Sequence, residues 1–201
     1  HRMGRHGFEI TGDGPIVYPR WEPQPRTIDE SCPVARASTG VHGLDRMLHG
    51  GLLSGSATLV AGSAGVGKTT LGLQFLCEGA QSDEPGIYVT FEESPNKLIC
   101  QAGGFGLELE RLTRDNKISI IHEFPTTVRF EKLLMDVMEE IDRIGAKRLV
   151  FDSLTDLDMA FPDEDTVREA DYELVSMLDS RNITSIVTTE VPELFGQTYV
   201  S

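Results

Sequence analysis

The stretch from residue 57 to residue 78 constrains the fold of this chain more than any other. Residues 57–61 (ATLVA) are a short apolar run that predicts a buried strand, and residues 69–78 predict a helix with Leu71, Leu73, Phe75 and Leu76 on its apolar face. Between the two runs lie Gly62, Ser63, Ala64, Gly65, Val66, Gly67, Lys68 and Thr69, with Thr70 following. This is G-x-x-x-x-G-K-[ST], a glycine-rich turn that points successive backbone N–H groups outward at a helix N-terminus. Such a concave, donor-rich surface suits a polyphosphate. A lysine at 68 reaches the β- and γ-phosphates, and a hydroxyl at 69 coordinates Mg²⁺. The expected cofactors are therefore ATP and Mg²⁺.

The flanking chain repeats the alternation. Residues 87–91 and 118–121 predict strands, and Ser94-Pro95 opens a helix that runs toward Gly103-Gly104, with serine as N-cap and proline at the first helical position. Over residues 128–144, Phe130, Leu133, Leu134, Val137, Ile141 and Ile144 fall on one helical face, which Gly145 ends. Residues 149–151 and 185–188 predict further strands, and 166–180 a helix. Strands alternating with helices imply an α/β fold with a mainly parallel sheet covered on both faces. Ahead of this, Ser38 and Thr39 are expected to cap a short helical turn that Gly50-Gly51 ends. Two β-prone runs around Gly12-Asp13-Gly14 predict a hairpin at the N-terminus, and the proline-rich stretch 21–33 predicts a linker. The chain thus divides into a hairpin and linker over 1–37 and an α/β domain over 38–201 whose sheet is expected to be incomplete at its C-terminal end.

The net charge of −14 opposes nonspecific binding to a phosphate backbone. No apolar run approaches a membrane span, and a secretion signal is not expected. The cysteines, Cys32, Cys77 and Cys100, form no C-x-x-C pair and are expected to be buried thiols of a reducing compartment, which points to the cytoplasm.

A phosphate-binding loop needs a second carboxylate for its metal. Asp152, after the apolar residues 149–151, stands where a strand of an open α/β sheet delivers its end to a ligand. The same Asp could instead simply cap the next segment. Glu92 and Glu93, after strand 87–91, are placed to orient or deprotonate water, or else to complement the dipole of the helix that follows. Adjacent residues of an extended chain point oppositely, so one of the two is expected to face the γ-phosphate. Thr188, Thr189 and Glu190 end the last strand, as γ-phosphate sensors or as ordinary strand-end residues.

Taken together, residues 38–45 (STGVHGLD), Gly50-Gly51-Leu52, the P-loop, residues 89–95 (VTFEESP), Phe105-Gly106-Leu107, residues 148–154 (RLVFDSL) and residues 189–196 (TEVPELFG) resemble a KaiC-type ATPase domain of the RecA superfamily. The resemblance implies that Glu92 and Glu93 are the catalytic glutamate pair. It also implies a homo-oligomeric ring, expected to be a hexamer, with ATP between subunits and a regulatory protein partner. Residues 8–20 resemble the closing hairpin of a preceding KaiC domain, as in tandem family members. The segment that carries phosphoacceptors in the family's clock kinase would fall beyond Ser201, so Ser/Thr autokinase activity is not supported by the residues present. The expected function is a slow, regulatory ATPase acting in signalling or circadian-type control. Two rivals stand beside it: a RadA/RecA-like recombination ATPase that binds single-stranded DNA, and a switch that binds nucleotide without hydrolysing it.

Overall fold

The computed structural model describes residues 7–12, 14–18, 35–126, 129–159, 161 and 163–191. Cys32, the linker 21–33 and the segment 192–201 lie outside the described residues. The predicted hairpin forms: β1 (Gly7–Thr11) pairs antiparallel with β2 (Gly14–Tyr18). A short antiparallel ladder, β3 (Arg36–Ala37) with β4 (Leu52–Leu53), brackets α1 (His42–Met47). Ser38 and Thr39 do not cap α1, whose N-cap residue is Val41. Their hydroxyls instead donate to the Asp45 carboxylate at 2.7 and 2.6 Å, while accepting from the N–H groups of Gly40 and Val41. Asp45, within the helix, is the better acceptor, because a carboxylate bond is charge-assisted.

The main body is β5 (Ala57–Gly62), α2 (Lys68–Gln81), β6 (Gly86–Thr90), α3 (Pro95–Gly104), α4 (Leu109–Arg114), β7 (Ile118–His122), α5 (Phe130–Ile144), β8 (Arg148–Asp152), α6 (Leu154–Asp158), α7 (Glu164–Ser180) and β9 (Thr184–Glu190). Its five strands are all parallel, in the order β5-β9-β8-β6-β7. Leu73, Phe75 and Leu76 of α2 bury one sheet face together with Leu98 of α3 and Leu109 and Leu112 of α4. Phe130, Leu133, Leu134, Val137 and Ile141 of α5 cover the other with Leu174, Met177 and Leu178 of α7. The helical period of 128–144 was therefore the core face of α5, and Gly145 ends that helix in a left-handed conformation (φ 66°). The short helices α4 and α6 and the β3–β4 ladder carry too few residues to show a period.

Two further expectations need correction. The P-loop strand is not buried: alternate residues of β5 are exposed, and Leu59 is 60% accessible. The reason is its place at a sheet edge, where β9 is its one partner among the described residues. Cys100 is exposed on α3, whereas Cys77 is buried, and burial pushes its thiol up to about 11. No helix among the described residues is long and apolar enough to cross a membrane.

Arg148 ties the elements beneath the site. It is 2% exposed, pairs with Glu84 at 2.6 Å, and donates to the carbonyls of Ser38 (2.6 Å) and Phe75 (2.9 Å). A Cβ at Gly79 would meet its side chain at 2.3 Å, so glycine there is what lets the guanidinium cross α2. On the opposite side, Asp171 of α7 is pushed up to about 6, first by burial and then by the charge of Asp158, and neither carboxylate's Oδ1 has a partner among the described residues. An acid whose pKa is raised by folding stabilises the fold below its unfolded value near 3.8 and loses that contribution as pH rises through 6. Asp171→Asn is therefore expected to raise the melting temperature at pH 7.5 by about 2–4 °C, after allowance for solvent screening, and to leave it unchanged below pH 4. Thermal melts across pH 3.5–8 check this; a pH-independent shift would count against it.

Candidate nucleotide-binding site

The carboxyl ends of β5, β6, β8 and β9 open onto one cavity of about 600 Å³. Its floor is the P-loop. Gly65 (φ 79°) and Gly67 (φ 98°) adopt the left-handed conformation, and Gly67 is the N-cap of α2. A side chain at either position would be strained, and the open space beside each lets a ligand approach the backbone. A Cβ at Gly62 would meet Val66 Cγ2 at 2.8 Å. Ala64, Gly65, Gly67, Lys68, Thr69 and Thr70 line this floor. Ser63 and Val66 belong to the same turn, and Val66 is 61% exposed.

Lys68 is buried, and its ammonium donates to the carbonyls of Gly62 (2.9 Å) and Ser63 (3.0 Å) and lies 3.5 Å from Glu190 Oε1. The loop thus curls around its own lysine and holds that charge at the cavity floor. Thr69 Oγ1 donates to Asp152 Oδ2 at 2.8 Å. The same oxygen accepts from Tyr88 at 2.6 Å, and Asp152 Oδ1 accepts from Thr188 Oγ1. Burial first, and the Asp152 charge next, push the Tyr88 phenol well above its usual pKa, so it stays an O–H donor. Thr155 holds the end of β9, accepting from Glu190 N–H at 2.8 Å and meeting Thr189 Oγ1 at 3.2 Å.

Glu92 and Glu93 both line the cavity but differ in setting. Glu92 is exposed. Glu93 is anchored: Lys97 reaches its Oε1 at 3.0 Å, Gln101 donates to it at 3.3 Å, and the Thr90 hydroxyl bonds its backbone. Its Oε2 is buried and has no partner among the described residues. Ser94 occupies the N-cap of α3 and Pro95 its first turn, but the Ser94 side chain makes no capping bond.

A family model described as "ATPase: KaiC" matches residues 37–201. The chain belongs to the KaiC ATPase family. The Circadian clock oscillator protein KaiC of a Nostoc species is 38% identical over 172 residues, covering 81% of this chain and 33% of the Nostoc protein. That of Synechococcus elongatus is 34% identical over 181 residues, covering 86% of this chain and 35% of its own length. The chain therefore spans about a third of the curated relatives it matches. The crystal structure of a KaiC-like protein from the archaeon Pyrococcus horikoshii superposes with a TM-score of 0.73 at 34% identity, over 80% of this chain and 72% of that one. The KaiC-like sheet, a RecA-type fold, is thus shown, and membership of an ATPase family implies nucleotide binding.

Around this KaiC-type P-loop the structure also gathers residues to which the sequence patterns assign no role of their own. Gln101, Phe105, Ser153 and Asp156 line the cavity. Phe105 is 63% exposed and stands between this cavity and an adjoining apolar hollow of about 450 Å³, lined also by Val41, Val66, Leu71 and Gln74. Tyr88 was hidden inside an apolar strand. Its one sequence signal is a hydroxyl where both faces are buried, since a buried phenol needs a partner.

Proposed function

We propose that this chain binds ATP with Mg²⁺ at the P-loop and hydrolyses it slowly, as the ATPase domain of a KaiC-type regulatory protein. The observation that carries the reading is the convergence of Lys68, Thr69, Asp152, Glu92 and Glu93 on one cavity from three separate segments. Gly62, Ser63, Ala64, Gly65, Val66, Gly67, Lys68, Thr69 and Thr70 would cradle the phosphates. The apolar hollow past Phe105 suits the base.

The residues fit a hard divalent cation. Thr69 and Asp152 supply oxygen donors 2.8 Å apart beside the loop, and no group of three His, Cys, Asp or Glu able to hold a metal occurs among the described residues. Mg²⁺ matches that poverty of protein ligands, because it is bound through one or two carboxylates plus substrate phosphates and water. When bound, the metal neutralises charge that develops on the phosphates. Lys68 then leaves the carbonyls of its own loop for a phosphate oxygen. Asp152 would help hold the metal, and Glu92 or Glu93 would orient the attacking water and take its proton. Glu190, relieved of Lys68, reports the γ-phosphate to the chain beyond β9.

Ring assembly, with a hexamer as the expected form, places a neighbouring subunit beside the exposed Phe105 side of the cavity and slows turnover until that neighbour is seated. Output through a regulatory partner, in signalling or in the circadian-type control that the relatives' names print, completes the reading. Residues 1–37 would be the tail of a preceding KaiC-like domain. In support, the family match begins at residue 37 and the hairpin is a sheet of its own. The net charge of −14 disfavours the recombinase alternative. Phosphate release should require Mg²⁺, cease in EDTA and be unaffected by single-stranded DNA. Release that persists in EDTA, or a salt-sensitive DNA complex strengthened by ATP, would overturn the reading.

A further inference from the structure

We infer that Tyr88 and Thr188 form a hydroxyl clamp that fixes the Asp152 carboxylate for Mg²⁺, which makes them positioning residues of the ATPase site. The inference rests on Asp152 and Thr69 holding the metal. β6 is buried on both faces along its whole length, and Tyr88 is fully buried. Phenylalanine would fill that place without the cost of burying a hydroxyl that needs a partner. The hydroxyl is retained, and it points at one atom: Asp152 Oδ2, 2.6 Å away.

Strand register explains how it gets there. Thr90 faces Asp152 and Tyr88 faces Val150 across the β6–β8 ladder, so the ring runs along the same sheet face as the Asp152 side chain. The helix above makes room. A Cβ at Gly72 of α2 would meet Val150 Cγ1 at 2.8 Å and Tyr88 Cε2 at 3.4 Å. From the other neighbour, fully buried Thr188 of β9 donates to Oδ1. With Thr69 also on Oδ2, three of the roughly four acceptor sites of the carboxylate are occupied. The side chain is therefore held from both oxygens, and an acceptor position remains on Oδ1 for the metal's water shell. Partners of this kind behind a ligand are worth about 10–100-fold in metal affinity.

Geometry, more than charge, is what such a clamp supplies, and this separates it from a packing role. Mg²⁺ demands near-ideal octahedral geometry, whereas Ca²⁺ accepts irregular oxygen shells. In Tyr88→Phe the Mg²⁺ affinity of the protein loaded with a fluorescent ATP analogue is expected to fall about tenfold, and the Ca²⁺ affinity by less than about threefold. Binding of the analogue in EDTA should be unchanged. In an Asp152→Asn background, adding Tyr88→Phe should change the Mg²⁺ affinity no further, because the hydroxyl acts through that carboxylate. Thr188→Val, which releases the other oxygen, should show the same Mg²⁺-selective loss, and it carries the test if Tyr88→Phe is too unstable to titrate. Equal losses for Mg²⁺ and Ca²⁺, no loss for either, or full additivity with Asp152→Asn would overturn the clamp. A wild-type protein that binds the analogue without any response to Mg²⁺ would instead overturn the metal-binding reading on which it rests.

Discussion

Lys68→Ala is expected to lower ATP affinity at least about 100-fold, which corresponds to roughly 2.7 kcal/mol of binding free energy. The size follows from where the ammonium sits. It is buried at the cavity floor and held by two carbonyls of the P-loop, with Glu190 as a distant third partner. Charge-assisted bonds from a buried cation to phosphate are among the strongest a loop can offer, and the alanine variant leaves the backbone donors to act alone. The fold should tolerate the change. Glu190 is 45% exposed and can hydrate once its partner is gone. Isothermal calorimetry with Mg²⁺ and ATP reads the affinity, and a thermal melt without nucleotide confirms the fold. An unchanged dissociation constant would exclude Lys68 from phosphate binding and with it the proposed site. Loss of ATP-dependent assembly alongside loss of binding would tie ring formation to the same lysine.

Much of this architecture was legible because it is written in period and punctuation. The face of α5 was set by residues from Phe130 to Ile144 spaced at 3.6, and the strand–loop–helix around Gly62 to Thr69 by an apolar run, glycines and a lysine. Asp152 could be singled out from its position at the end of an apolar strand only because a P-loop precedes it in the chain. What the sequence did not show is what depends on neighbours distant along the chain. The exposure of β5 follows from strand order, which periodicity does not encode. The capture of the Ser38 and Thr39 hydroxyls by Asp45 is a contest between acceptors that is settled only when the turn closes. The approach of Tyr88 to Asp152 needs the β6–β8 register and the missing Cβ of Gly72 together. Glu92 and Glu93 are adjacent in sequence and look equivalent there, yet Lys97 and Gln101 distinguish them by anchoring one and leaving the other exposed.

That difference determines what the second large effect should look like. The double variant Glu92→Gln/Glu93→Gln is expected to cut steady-state phosphate release about 10²–10⁴-fold while leaving ATP affinity within a few-fold of wild type. Neither residue lines the P-loop floor, so binding survives; both line the cavity, so the water loses its carboxylate. Glutamine keeps the size and most of the hydrogen bonding. At position 93 it still accepts from Gln101, and the exposed end of the Lys97 pair costs little when weakened. The single variants then apportion the role. A base must be free to take a proton, which favours exposed Glu92, whereas the unpartnered, buried Oε2 of anchored Glu93 is an acceptor in want of a donor that a bound water could supply. If Glu92→Gln alone reproduces the double variant, Glu92 takes the proton and Glu93 braces the loop through Thr90, Lys97 and Gln101. If Glu93→Gln does so, the roles reverse. Wild-type phosphate release by the double variant would sink the assignment of either residue to catalysis and leave nucleotide binding, tested separately through Lys68, untouched.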